Sequence, residues 1–311
     1  MGSADDRVAA LSPHRQSLLR QLQASRVQAA QVRDHPAVPM RAGDSPVQLV
    51  LLHAAGGELF CYAPLVRSLP PGTAVTGFPA DPADNDLPLD GRVVEVARRT
   101  LAALAREHDL GRCVLAGWSY GGALAFEMAR QHALATGMRL PVALLDCLYY
   151  GDVELEDEAT VRRRFVYDVA RMAGGEDDQV TAALEAVDAS TSSLPRLLAL
   201  AGADISLTGQ EIEDRYLLFR ACSLSLQLYR PPAPYDGPVT VAAADGPERL
   251  ADYMGARWRA VCTGPFAHVR LPGDHYTLFT PPALAAVTGV VVSVMRDLTA
   301  AAAGAGAGQG K

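Results

Sequence analysis

"CVLAGWSYGGALAFEMA", residues 113–129, changes character at its middle. Cys113 to Gly117 form an apolar run suited to a strand buried on both faces, and from Tyr120 onward the residues suit a helix. Ser119 stands between them among Gly117, Gly121 and Gly122. A strand that turns this sharply into a helix leaves no room for Cβ atoms beside the apex, which glycine lacks. Such a turn exposes the apical hydroxyl and aims backbone N–H groups at the space next to it. Gly117-Trp118-Ser119-Tyr120-Gly121 therefore marks Ser119 as a candidate nucleophile.

The same alternation continues on both sides. "VQLVLLH" (47–53) is a continuous apolar strand, "TAVTGF" (73–78) a weaker one, and "GRVVEVARRTLAALAREHD" (91–109) an amphipathic helix. Further on come the strands "PVALLD" (141–146), "PVTVAAAD" (238–245) and "AHVRLPG" (267–273), with a helix around "RLADYMGARWRAV" (249–261) between the last two. This order predicts an α/β fold, a mainly parallel sheet flanked by helices. Residues 152–230 carry only helical signals, such as "EATVRRRFVYDVARMA" (158–173), and are expected to form a helical insertion that caps the site.

Outside the sheet domain, expected over 46–300, the chain reads differently. Ser12 and Pro13 open a helix over 12–32, with Leu18, Leu19 and Leu22 in one apolar stripe. "DHPAVPMRAGDSP" (34–46) resembles a linker, so residues 1–45 are read as leader helix plus linker. The stripe is too narrow to be stable alone and is expected to pack either on the parent domain or on its copy in a second chain. The tail "AAAGAGAGQGK" (301–311) is low in complexity and is expected to be disordered. "ALAAVTGVVVSVM" (283–295) reads as a buried helix too short to span a bilayer.

Composition narrows the function. The 311 residues carry a net charge of -7, which argues against nucleic acid as a partner, since no basic stripe survives that balance. Five scattered cysteines (Cys61, Cys113, Cys147, Cys222, Cys262) include no CxxC pair and point to neither a disulfide framework nor a metal site. With no signal-length apolar run at the N-terminus, a cytoplasmic protein that does not engage membranes is expected.

A serine hydroxyl needs a base. Of seven histidines, His14 and His35 lie outside the sheet domain, His108 and His132 belong to helices, and His268 starts a strand. His275 sits in "LPGDHYTLF" (271–279), a loop after the last strand, and is the candidate base. Three carboxylates could orient it: Asp274 beside it, Asp245 at the end of "PVTVAAAD", and Asp146 at the end of "PVALLD". Adjacent side chains generally point apart, which disfavours Asp274. Local physics does not rank Asp146 against Asp245.

"LLHAAGGELFCYAPLVRSL" (51–69), "LAGWSYGGALAFEMAR" (115–130), "ALLDCLY" (143–149), "LYRPPAPYDGPVTVAAA" (228–244) and "LPGDHYTLF" occur in an order that resembles the type I thioesterase domains ending polyketide synthases and nonribosomal peptide synthetases. The resemblance implies an α/β-hydrolase with a helical lid, releasing an acyl chain from a carrier-protein phosphopantetheine thioester by hydrolysis or macrocyclisation, without metal or resident cofactor. It implies Asp146 as the acid, with Asp245 second. It also makes "HAAGG" (53–57) the oxyanion turn, with the Ala55 and Tyr120 N–H groups as donors and Ala54 standing where the family has proline. "GDHY" is similar to the chain-terminating rather than the repair type. "GWSYGG" leans toward peptide-type relatives and the leader helix toward polyketide-type ones, and the latter resemblance implies a homodimer through that helix.

Alternatives are a free-standing esterase or lipase for small esters, and a non-catalytic docking module. Arg162, Arg163 and Arg164 could meet an acidic carrier protein, but a solvated helix face is the expectation. Val161, Phe165, Val169 and Met172 are expected to pack the insertion rather than line a substrate channel.

Overall fold

A computed structural model describes residues 37–188, 192–203, 207–246 and 250–307. The leader helix expected over 12–32, and the dimer expected through it, lie outside these residues.

Seven strands form one sheet in the described residues: β1 (Val38–Arg41), β2 (Gln48–Leu52), β3 (Ala74–Phe78), β4 (Cys113–Trp118), β5 (Val142–Leu145), β6 (Val239–Ala244) and β7 (Phe266–Leu271), in the order β1-β3-β2-β4-β5-β6-β7. β2 to β7 are mutually parallel, and β1 runs antiparallel along β3 at the edge. The linker reading of 34–46 thus misses a strand. Its cause is Pro39, which cannot donate to a ladder and is tolerated at an edge, where a register shift between Pro39 and Arg41 absorbs it.

Alternate residues of each strand face opposite sides, and both sides are covered. Val50, Leu52, Leu115, Leu144 and Val241 pack against α2 (Arg92–Glu107) and α3 (Tyr120–Thr136), with α8 (Leu250–Arg259) joining them. Leu49, Leu51, Val114, Leu145 and Ala242 pack against α1 (Ala63–Ser68) and α9 (Ala283–Ala307). Burial on both faces is why these strands are continuous apolar runs.

Between β5 and β6 the chain leaves the sheet for α4 (Glu158–Met172), α5 (Asp177–Glu185), α6 (Leu194–Leu200) and α7 (Gly209–Leu228). They share a core of their own, with Phe165 set edge-on against Tyr216 and Phe219 at 5.4 and 5.5 Å between ring centres.

α9 departs from expectation twice. It continues through Ala307, into the segment expected to be disordered, because alanine is the strongest helix former. Its segment Ala283–Ala301 is also long and apolar enough to cross a bilayer, contrary to the length expected from 283–295 alone. One face, Val287, Val291 and Val294, is buried against the sheet, as a core helix of a globular domain requires.

Candidate active site

The parallel strands present their carboxyl ends along one edge, the usual place for a site in such sheets. Ser119 follows β4, Asp146 follows β5, His275 follows β7, and the His53–Gly57 turn follows β2.

At Ser119 the backbone has φ 55° and ψ -125°, a conformation that costs an L-residue energy and persists only where neighbours impose it. They do so through close backbone contact. A Cβ on Gly117 would lie 2.1 Å from the carbonyl carbon of Gly121, and one on Gly121 would lie 2.3 Å from the Leu52 carbonyl oxygen. The Ser119 N–H donates to Leu145 O at 3.0 Å, tying the apex to the end of β5. Tyr120 heads α3, so its N–H has no carbonyl partner within the helix.

Asp146 also has positive φ, 45°, and is buried. Its Oδ1 accepts the Ala244 N–H at 2.7 Å, and its Oδ2 lies 2.6 Å from His275 Nδ1. A carboxylate only accepts, so Nδ1 carries the proton and Nε2 is left as an acceptor. The imidazole also packs on the Trp118 indole, 4.7 Å between centres, and against the edge of Tyr276 at 5.1 Å. Asp245 is elsewhere: it is exposed and pairs with Arg270 at 3.3 Å. Asp274 faces Arg171 and its own loop. The structure thus brings His275 to Asp146 rather than to either other acid.

Ser119, Asp146, His275, Ala54 and Ala55 share one cavity of about 700 Å³, mostly apolar and walled by the insertion. Here the insertion differs from expectation. Phe165, Val169 and Met172 line this cavity, although Val161 and Phe165 also pack the insertion core. Arg162 and Arg163 donate to Ser192 O and Leu184 O at 2.8 Å each, and Arg164 pairs with Glu156. These arginines stitch the insertion together instead of forming a solvated face.

Several ionisable groups of the wall have displaced titration, Tyr167 and Tyr276 upward through burial among them. Burial pushes the Cys61 thiol up to about 12, so it stays protonated and weakly nucleophilic in neutral water. Burial likewise raises Asp168 to about 6, against the pull of His275, the Tyr276 hydroxyl and Arg164. Sequence reasoning missed Asp168, Arg171 and Tyr276. The available signal was the helical spacing of Arg164, Tyr167, Asp168 and Arg171, which places them on one face of α4.

The thioesterase domain family matches residues 47–291. The probable non-canonical nonribosomal peptide synthetase CymA of Salinispora arenicola is 23% identical over 275 residues, 85% of this chain but 3% of that protein. The chain thus spans a small part of that relative. Among solved structures, the four-domain nonribosomal peptide synthetase holo-AB3403 superposes with a TM-score of 0.67 at 22% identity, covering 82% of this chain and 20% of that one. The RedJ thioesterase of the prodiginine pathway in Streptomyces coelicolor does so with 0.59 at 20% identity, over 84% and 96%. At these identities the structural likeness speaks for the fold, whereas the family match covers most of the chain. The chain belongs to the thioesterase domain family, serine hydrolases of the α/β-hydrolase superfamily.

Proposed function

We propose that this domain releases an acyl chain from the phosphopantetheine arm of an upstream carrier protein through a Ser119 acyl-enzyme. In this reading His275 Nε2 takes the Ser119 proton as the hydroxyl attacks the thioester carbonyl. It then returns that proton to the departing thiolate. Asp146 holds the imidazole in the required tautomer and stabilises the imidazolium, while the Ala55 and Tyr120 N–H groups bind the oxyanion. Water or a nucleophile within the chain then attacks the ester, giving an acid or a macrocycle. The observation that carries this reading is the 2.6 Å His275–Asp146 contact in a cavity that Ser119 also lines.

The apolar walls suit a polyketide or peptide acyl chain folded over the serine, with the α4–α7 insertion as its lid. The free thiols suit a reducing cytoplasm.

The test is turnover of acyl-phosphopantetheinyl carrier protein beside the matching N-acetylcysteamine thioester and ethyl ester, with products identified by mass spectrometry. Preference for the carrier-bound thioester supports the proposal. Preference for the ester supports a free-standing esterase. No turnover and no covalent adduct supports a docking module.

A further inference from the structure

His275 lies on the loop between β7 and α9, which reaches the sheet through the His275–Asp146 contact and through the buried Leu278 and Phe279. The loop holds its own shape largely through Asp274: its Oδ1 accepts the N–H groups of Tyr276 and Thr277, each at 2.9 Å, and the Thr277 hydroxyl at 3.0 Å, while its N–H donates to Thr277 Oγ1 at 2.8 Å. The other oxygen, Oδ2, receives Arg171 Nη2 from α4 at 2.8 Å. Arg171 is largely buried there, its Nη1 bonded to Gly175 O at 2.8 Å and its guanidinium over the Tyr276 ring at 5.5 Å. Tyr167, one turn earlier, meets that ring edge-on at 5.4 Å. The Tyr276 hydroxyl, on the same residue, bonds Asp168. Three residues of one helix face thus grip the two residues that flank the base, and Tyr276 passes the contact to the imidazole it abuts.

Resting on the Ser119–His275 reading above, we infer that helix α4 positions the base, with Arg171 acting through Asp274 as the positioning residue. Asp146 orients the imidazole from the sheet, and Arg171 fixes from the insertion the loop that carries it. This makes the insertion part of the catalytic geometry as well as a wall of the cavity. A reacting group displaced by about 1 Å loses on the order of a hundredfold in rate, so loosening this loop acts on turnover. Substrate binding, which depends on the apolar walls, is left in place.

The experiment is a double-mutant cycle on the full chain, read as the rate of Ser119 labelling by a fluorophosphonate probe, which needs no knowledge of the acyl chain. Asp274→Asn leaves an oxygen for the loop N–H groups and turns an amide NH₂ toward Arg171. Arg171→Met removes the charge but keeps the stem. Each single variant is expected to label about tenfold more slowly than wild type, and the double variant no more slowly than either, as partners in one contact behave. Arg171→Lys should restore part of the rate. With an N-acetylcysteamine thioester, kcat should fall while KM stays within about twofold. Arg163→Met, which cuts a bond from the same helix to Leu184 O, should lower the melting temperature and leave labelling unchanged. Wild-type labelling rates in both single variants, multiplicative losses in the double, or an equal loss in Arg163→Met would overturn the inference. A wild-type chain that does not label at Ser119 would overturn the nucleophile assignment as well.

Discussion

The turn at Ser119 and the insertion over it are built by different means. At the turn, backbone packs on backbone: Gly117 against Gly121, Gly121 against the Leu52 carbonyl, the Ser119 N–H on Leu145 O. In the insertion, long side chains reach carbonyls and carboxylates, as Arg162, Arg163 and Arg164 do, around a small core centred on Phe165 and Phe219. A close-packed backbone admits no added atom, whereas a helix cluster held by flexible arginines can re-form around one. Ser119 thus sits on a tightly packed backbone turn beneath a helix cluster whose contacts are made by long side chains.

Paired substitutions sharpen that contrast. Gly117→Ala puts a methyl 2.1 Å from backbone and should cost at least about 4 kcal/mol, with loss of soluble protein. Gly202→Ala, at φ 76° in the insertion with nothing within 4 Å of the added Cβ, should cost only about 1 kcal/mol of conformational strain in denaturant titration. Asp146→Asn should slow acylation by about 10³-fold with the fold intact, since an amide supports the wrong tautomer, while Asp245→Asn should stay within a few-fold. The opposite ranking would move the acid to the end of β6.

Within the insertion, Phe165→Ala should cost about 3 kcal/mol. Hydrogen exchange should show that loss confined to α4–α7, sparing β4 and α3; equal deprotection of the sheet would make the two regions one cooperative unit. Asp168→Asn should act through pH alone. The Asp168 carboxyl moves from an ordinary 3.8 to about 6 on folding. The native state therefore holds more protons than the unfolded chain in that window. Its contribution to stability is complete below about 3.8 and is lost as pH rises through about 6. The variant should be more stable than wild type by up to about 3 kcal/mol at pH 8, with the gap closing by pH 4.

The two regions also differ in how much of them the sequence discloses. Strands buried on both faces carry continuous apolar runs, so β2, β4, β5 and β6 are legible, and the glycines around Ser119 mark the turn because the constraint there is local. β1 is hidden by Pro36 and Pro39, which also signal a linker. Asp146 and Asp245 end equivalent strands, and what separates them is Arg270, on β7, pairing with Asp245. Only the folded sheet brings that partner near. In the insertion the helices are legible from their periodicity. Their faces are not, because Arg162 and Arg163 find carbonyls in segments 20 or more residues away, and Asp168 meets a loop about a hundred residues on. Side-chain pairing at that range leaves no local trace.

Intact-protein and peptide mass spectrometry after exposure to a fluorophosphonate probe tests the central claim most directly. One adduct per chain, on the peptide containing Ser119, absent from Ser119→Ala while the melting temperature of that variant matches wild type, is the predicted result. An adduct on another residue, or one that persists in Ser119→Ala, would contradict the account.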